Sequence, residues 1–277
     1  MKISRYSILL VALSLLVTVS TFAQEELWIQ LNAEVLMLYQ EGRYSEAAKV
    51  AEEALKVAEK TYGPEHPRVA TSLNNLGALY KDQGNYDEAA LFYNRALEIR
   101  EKVLGKDHPR VATTLHNLGL LYYSQGRYAE AESLYKRALT IDKKALGKND
   151  PDLARDLSSL ARLYETQGRY AEAETFYGRA LKIHEKAFGK GHPLVGADLS
   201  SLAGLYETQG RYVEAEPLYR RSLNIFEKAL GKDHPDVAKT LENMARLYKK
   251  IGKQEEAASL EERARKIHVQ KKRGSQH

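Results

Sequence analysis

The chain has no cysteine, which excludes disulfide bonds, zinc–thiolate sites and cysteine nucleophiles. Tryptophan occurs once and proline only seven times in 277 residues. Basic residues exceed acidic ones by little, because the net charge is +5. Proteins that bind nucleic acid usually concentrate Lys and Arg on one face. We therefore do not expect nucleic acid as a partner.

Long apolar runs are absent apart from one near the N-terminus. Residues 8–19 are almost wholly apolar and follow the basic residues Lys2 and Arg5. Thr21-Phe22-Ala23 then places small residues at the two positions that a signal peptidase reads. We expect residues 1–23 to be a bacterial-type secretory signal peptide. Its removal takes away both basic residues and leaves a mature net charge of +3.

An uncleaved membrane anchor is the alternative interpretation of this segment. The apolar run has about 12 residues, whereas a spanning helix needs roughly 20. A bacterial lipid anchor is excluded because no cysteine follows the cleavage point. The expected mature protein is exported, either to the periplasm or to the medium, and has no transmembrane segment.

The rest of the chain repeats itself every 42 residues. Glycines recur at Gly42, Gly84, Gly126, Gly168, Gly210 and Gly252, and prolines at Pro67, Pro109, Pro151, Pro193 and Pro235. Such a fixed period predicts a repeat architecture in which stacked units share one core. The predicted units lie near residues 26–66, 67–108, 109–150, 151–192, 193–234 and 235–268. They make up an array over 24–268, and a basic tail at 269–277 is expected to be disordered.

Within one unit, two apolar stripes predict two antiparallel helices. The first stripe is Val69, Leu73, Leu76 and Tyr80, and the second is Ala89, Tyr93, Ala96, Ile99 and Val103. Pro67 suits the first position of a helix. Gly84 and Gly105 suit the positions just beyond a helix end.

These residues resemble a known family. The pattern Leu73-x-x-Leu76-Gly77-x-x-Tyr80, followed by Gly84-x-Tyr86, Ala89, Tyr93 and Ala96, is similar to the tetratricopeptide repeat. The 42-residue period resembles the variety found in kinesin light chains, and the resemblance covers roughly residues 27–268. It implies an all-α fold, a right-handed superhelical solenoid of about six helix pairs. It also implies that a concave groove, lined mainly by the first helix of each unit, binds a peptide or a protein.

The family often holds a bound peptide backbone with an asparagine of the groove. The candidate groove residues at and beside this position are Asn74, Asn75, His116, Asn117 and Asn243. An amide both donates and accepts hydrogen bonds, which suits an extended main chain. The alternative is that Asn75 and its equivalents bond neighbouring repeats and stabilise the stack. The sequence leaves both interpretations open.

Other groove positions become more basic toward the C-terminus. The basic residues there are Arg155, Arg162, Lys239 and Arg246. They predict a partner with an acidic segment or a free carboxylate. The alternative is a solvated face on which these cations pair with Glu165 and Glu207.

Histidines recur at the start of the first helices. His66, His108, His192 and His234 each precede a proline, and Asp150 fills the same position in the fourth unit. Equivalent residues on packed helices lie at least roughly 8–10 Å apart, too far to share a metal ion. Aspartate caps helix N-termini well. We therefore predict capping at these positions and no metal site.

Motifs for catalysis are missing. His184-Glu185-Lys186-Ala187-Phe188 begins like a zinc-protease helix but lacks the second histidine. No phosphate-binding loop or Gly-x-Ser-x-Gly motif occurs. We expect neither an enzyme nor a cofactor.

The function predicted from the sequence is that of an exported scaffold or adaptor that binds a peptide or protein segment. Two alternatives remain open at this stage. One is a structural protein that self-associates into a homo-oligomer. The other is a non-catalytic accessory subunit of an envelope complex.

Overall fold

A computed structural model describes the backbone of residues 5–274 and the side chains of residues 22–270. This part of the chain forms twelve helices and contains no strand. The helices are α1 (Arg5–Gln40), α2 (Tyr44–Tyr62), α3 (Pro67–Asp82), α4 (Tyr86–Leu104), α5 (Pro109–Ser124), α6 (Tyr128–Ala145), α7 (Pro151–Thr166), α8 (Tyr170–Phe188), α9 (Pro193–Thr208), α10 (Tyr212–Leu230), α11 (Pro235–Lys250) and α12 (Gln254–Gly274). The predicted helix pairs are confirmed in every unit.

The two ends of the chain carry predictions of their own. Most of the predicted signal peptide, residues 1–23, lies outside the residues whose side chains are described, and its cleavage stays a prediction. The predicted tail, residues 269–277, overlaps the end of α12, which runs to Gly274. Residues 275–277 lie outside the described part. Among the described helices, none has both the length and the apolar character required to cross a bilayer.

The chain divides into two compact units, Met1–Ile141 and Asp142–His277. From here on these are the first unit and the second unit, and each helix pair is a repeat. In the first unit, α1 packs on α2, α2 on α3, α3 on α4 and α4 on α5. In the second unit, the same succession of neighbours runs from α7 to α12. Each helix pair is therefore buried by the pair beside it, as a repeat protein requires.

Capping explains the recurring residue before each proline. The Nδ1 atom of His66 accepts a hydrogen bond from the backbone N–H of Arg68 at 3.2 Å, and the carboxylate of Asp150 accepts one from Asp152 at 2.9 Å. His108, His192 and His234 make the same bond. The predicted capping role is confirmed. Because this bond uses the unprotonated ring nitrogen, the imidazole acts here as an acceptor.

Replacing His108 with alanine is expected to destabilise the protein by about 1 kcal/mol, because the first turn of α5 loses its cap. His108→Asp should keep the full stability, because Asp150 performs the same role one repeat later. Urea unfolding followed by circular dichroism measures both variants. Equal stability of all three proteins would show that the bond contributes nothing.

Glycine is required at the end of each second helix. Gly105 has φ 85° and ψ 154°, a conformation that is essentially restricted to glycine. Its N–H bonds the carbonyl of Glu101 at 3.1 Å and so closes α4. The chain can then turn into the short loop that leads to the next proline.

The core follows the predicted stripes with one exception. Ala89, Tyr93, Ala96 and Ile99 are buried, as predicted. Val103 was expected to continue the second stripe but is 47% exposed, so that prediction is wrong. Ile99 and Arg100, three and four residues after Ala96, are the last buried residues of α4. Val103 lies on the same face, but in the last turn of the helix, where none of residues 101–104 is buried.

Candidate functional site

The first helices of the pairs present a common surface in each unit, which we call the first-helix face. It is carried by α1, α3 and α5 in the first unit and by α7, α9 and α11 in the second. Two positions seven residues apart recur along it: Ile29 and Leu36, Thr71 and Ala78, Thr113 and Leu120, Arg155 and Arg162, Ala197 and Gly204, Lys239 and Arg246. In the second unit, Arg155, Arg162 and Ala197 line one cavity, which identifies these positions as the lining of the face.

The first unit presents an apolar version of this face. Ile29 is 52% exposed and Leu36 is 57% exposed, although both are large aliphatic residues. None of the six recurring positions in this unit carries a charge. Exposed aliphatic side chains on a helix face are a feature of protein-binding surfaces.

Three of the predicted groove asparagines take part in hydrogen bonds between neighbouring repeats. Asn75 Nδ2 donates to Asn32 Oδ1 at 2.9 Å, and Asn117 Nδ2 donates to Asn74 Oδ1 at 3.0 Å. We call these two bonds the amide ladder. They support the structural alternative considered above, since the bonded amides already hold α1 to α3 and α3 to α5. Their use by a bound peptide stays a prediction.

His116, another candidate, lies inside the first unit. Its side chain is 5% exposed and its ring lies against Tyr135 with centroids 5.5 Å apart. A side chain buried to this extent offers little surface to a partner. The structure therefore gives His116 a packing role.

The second unit contains a cavity of about 540 Å³ between α7 and α9, which we call the α7–α9 cavity. Helix α8 forms its floor. The lining residues are Pro151, Asp152, Arg155, Ser158, Ser159, Arg162, Tyr177, His184, Phe188, Leu194, Ala197, Asp198 and Ser201. This volume lies within the range of known ligand pockets.

Arg155 borders the cavity but already faces carboxylates. Its guanidinium lies 3.5 Å from Asp142 and from Asp156, and 4.0 Å from Asp152. Asp142 and Asp156 are 2% and 0% exposed and hydrogen-bond each other. Burial, followed by repulsion from Asp156, raises the pKa of Asp142 to about 7, although Arg155 acts in the opposite direction. Below this pH Asp142 carries a proton, which it can donate in its hydrogen bond to Asp156.

His184 and Asp198 form a second buried pair at the floor of the cavity. His184 Nδ1 lies 2.6 Å from Asp198 Oδ2, and Ser158 Oγ lies 3.5 Å from Asp198 Oδ1. Burial raises the pKa of Asp198, whereas the bond to His184 opposes that shift. The hydrogen bonds to His184 and Ser158 offset part of the cost of burying this carboxylate.

The remaining basic candidates lie on α7 and α11. Arg246 binds the buried carboxylate of Glu207 at 2.8 Å, which matches the alternative of paired cations. Arg162 borders the α7–α9 cavity and acts electrostatically on Glu165. Lys239 and Asn243 line a smaller cavity of about 220 Å³ between α9 and α11. The basic candidates of the second unit therefore lie on one face, as predicted. Arg155 and Arg246, however, are paired with carboxylates of the protein itself.

Sequence reasoning missed the buried polar pairs that join one repeat to the next. Residues 14 apart meet across each of these junctions: Arg100 and Thr114 at 2.6 Å, Asp142 and Asp156, and His184 and Asp198. The sequence contains one signal that could have predicted these pairs, namely two polar residues 14 apart that recur every 42 residues. Among the residues with described side chains, no group of three His, Asp or Glu converges as a metal site requires.

A family model for the tetratricopeptide repeat matches residues 26–102, 92–144, 110–186, 152–228 and 197–268. The chain belongs to the tetratricopeptide repeat family. The predicted family and fold class are thereby confirmed. Tetratricopeptide repeats are protein-interaction modules and are typically non-catalytic.

Solved structures extend this result. The chain is similar to BtubC (BKLC) from P. vanneervenii, with 24% identity, a TM-score of 0.69 and coverage of 84% of this chain and 92% of that chain. It is also similar to the kinesin light chain-like repeats of Podosopora anserina, with 27% identity, a TM-score of 0.61 and coverage of 72% and 94%. A Rap protein solved in complex with Competence and Sporulation Factor has 20% identity, a TM-score of 0.63 and coverage of 90% and 65%. No curated protein matches the chain significantly. The kinesin light chain-like type of repeat is thus confirmed.

Proposed function

We propose that this protein is an exported scaffold that binds a segment of a partner protein along its first-helix face. The observation that carries the proposal is the α7–α9 cavity, which lies on the face that the family uses for binding and is lined by both apolar and polar side chains. Pockets of this mixed character are the usual binding sites of folded proteins. A Rap protein of similar fold was solved with a bound factor, which is consistent with this use of the fold.

The exposed aliphatic residues of the first unit support the same function. More than half of the surface of Ile29 and of Leu36 is exposed, so a large part of each residue is available to be buried on a partner. Burying both on a partner would contribute several kcal/mol at about 25 cal/mol per Å². Export rests on the predicted signal peptide at residues 1–23.

Affinity capture from a cell-envelope extract tests the proposal with the full-length chain. We expect a partner to be captured by the native protein and lost by the variant Leu36→Glu, Arg162→Glu, Lys239→Glu, which changes three side chains of the first-helix face. The control variant Leu91→Glu, Val213→Glu alters residues that are 71% and 89% exposed on second helices. Equal capture by all three proteins would contradict the proposal.

The prediction of an acidic partner segment is tested separately by the double variant Arg162→Glu, Arg246→Glu. Binding of an acidic partner should be abolished, because two cations of the face are reversed. Unchanged affinity for that partner would contradict the prediction of an acidic segment. Among the basic candidates, Lys239 supports the prediction of an acidic segment most, because its side chain is exposed beside the cavity between α9 and α11.

A further inference from the structure

The junction between two consecutive repeats is built from two kinds of residue pair. One kind is apolar and joins a second helix to the first helix of the next repeat, 21 residues further on. Three pairs of this kind lie in common apolar clusters, namely Leu55 with Leu76, Leu97 with Leu118, and Leu223 with Met244. The other kind joins residues 14 apart and is often polar, as in the bond between His184 and Asp198.

The two ends of the array depart from the apolar pair in opposite ways. The internal positions are Leu55, Leu97, Leu139, Leu181 and Leu223 on the second helices and Leu76, Leu118, Leu160, Leu202 and Met244 on the first helices. In the same register, the last second helix has Arg265 and the first first helix has Glu34. The unmatched half at one end is therefore a cation, and the unmatched half at the other end is an anion.

The pair of residues 14 apart also has one half at each end. His268 on α12 holds the position of Arg100, and Gln30 on α1 holds the position of Thr114. His268 Nε2 bonds Glu242 at 2.8 Å, so the ring is held in place on the surface of the last repeat. A primary amide such as that of Gln30 both donates and accepts, so it can bond Nδ1 of this ring in either tautomer.

The C-terminal end has the shape of a site for a further first helix. A cavity of about 470 Å³ there is lined by Glu242, Glu261, Ala264, Arg265, His268 and Val269. Five repeats earlier, Asn32 and Ala58 hold the positions of Glu242 and His268, and helix α3 covers them. Asn75 of α3 donates to Asn32, and Ala58 packs in one cluster with Leu73 of α3.

The side chains that would meet in a further junction are exposed. Arg265 is 73% exposed and makes an ion pair with Glu262. Ion pairs on the surface contribute little, so this one is readily exchanged for another. On α1, Gln30 and Glu34 are exposed, and Met37 is 51% exposed although it is apolar.

We propose that copies of this chain join head to tail, with α1 of one copy packed on α11 and α12 of the next. Glu34 pairs with Arg265, and Gln30 bonds His268. Met37 packs on Ala258, as Leu79 packs in one cluster with Ala48 inside the array. Because the two surfaces differ, the contact is heterologous and joins copies into a row or a ring. This inference goes beyond the proposed function, since none of these residues holds a recurring position of the first-helix face.

The mass of the protein as a function of concentration tests the assembly. The protein is produced from the full-length sequence and purified in the form that the cells make. In sedimentation equilibrium, we expect the weight-average mass to reach at least about twice that of one chain between about 1 µM and about 300 µM. The mass of a single chain at every concentration would overturn the proposal.

Charge reversal places the contact at the two ends. Arg265→Glu and Glu34→Arg each bring like charges together and should weaken assembly at least about tenfold. A 1:1 mixture of these two variants should assemble like the native protein, because every junction between them joins one acidic and one basic side chain. Lys266→Glu is the matched control, since Lys266 neighbours Arg265, is 70% exposed and also faces Glu262.

The mixture and the control decide the outcome. If the two reversed variants stay single chains when mixed, or if Lys266→Glu weakens assembly as much as Arg265→Glu, the proposed junction is wrong. Thermal unfolding followed by circular dichroism confirms that the compared proteins are folded. Capture of a partner by the first-helix face is measured independently, so the assembly can fail while the proposed function stands.

Discussion

Replacing Asp142 with asparagine should stabilise the protein at pH 8 and remove the loss of stability that Asp142 itself contributes between pH 4 and pH 8. The pKa of Asp142 is raised from 3.8 to about 7 in the folded protein, so the folded state binds the proton more tightly than the unfolded chain. Stability from this group is therefore complete below pH 4 and is lost as the pH rises toward 7. At 1.36 kcal/mol per pKa unit, the loss is on the order of 4 kcal/mol.

The groups that face Asp142 determine this result. Asp156 repels its charge, Arg155 at 3.5 Å favours it, and Asp152 adds a weaker repulsion. In the Asp142→Asn variant the amide can donate to Asp156 at any pH, so the buried carboxylate keeps a donor. Urea unfolding at pH 4, 6 and 8 measures the difference between variant and native protein.

The control is Asp233→Asn, since Asp233 is exposed. This variant should track the native protein at every pH. The buried acid pair would be contradicted if the difference in stability between Asp142→Asn and the native protein were the same at pH 8 as at pH 4. It would show instead that water or a cation reaches the two carboxylates.

Replacing Glu207 with alanine should destabilise the second unit by about 2–4 kcal/mol. Glu207 is 3% exposed and accepts hydrogen bonds from Tyr219 at 3.0 Å, Arg246 at 2.8 Å and Lys250 at 3.0 Å. The variant loses these bonds and leaves the hydroxyl of Tyr219 buried without its acceptor, which alone costs about 1–3 kcal/mol. Arg246 and Lys250 regain water, because they are 54% and 42% exposed, so the cost stays below that of a stranded buried charge.

Glu165→Ala is the matched control, at the equivalent position one repeat earlier. Its carboxylate accepts from Tyr177 at 3.0 Å but makes no bond like those of Glu207 to Arg246 and Lys250. Burial raises the pKa of Glu165, whereas for Glu207 the effect of burial is outweighed by Arg246 and Lys250 and the pKa is lowered. Glu207 thus stabilises the protein above pH 4.5, and this contribution disappears as the pH falls below it. Chemical unfolding at pH 7 should show a clearly smaller loss for Glu165→Ala, and equal losses would contradict the assigned role.

The helices, their starts and their ends could be predicted from the sequence because each depends on local chemistry. Pro67, Gly84 and His66 act on the backbone next to them, and the 42-residue period repeats that information in every unit. The role of Asn75 could not be decided in this way, because its partner Asn32 lies 43 residues away. Only the packing of α3 on the preceding repeat brings the two amides together.

The surroundings of the predicted cations could not be derived from the sequence for a related reason. Sequence comparison of equivalent positions finds Arg155 and Arg162 but not the carboxylates that face them from other helices. Asp142 reaches Arg155 from α6, and Asp198 reaches the same cavity from α9. Electrostatic character is a property of the assembled surface, so the pairing of these cations with carboxylates could not be read from their own positions in the sequence.

Site-specific photo-crosslinking in cells tests the central claim, that partners bind the first-helix face, most directly. A photoreactive phenylalanine analogue is placed at Ala197, which lines the α7–α9 cavity, or at Val213, which is 89% exposed on a second helix. We predict a discrete adduct with a partner protein from position 197 and none from position 213. An adduct from position 213 alone would place recognition on the second helices and contradict the account.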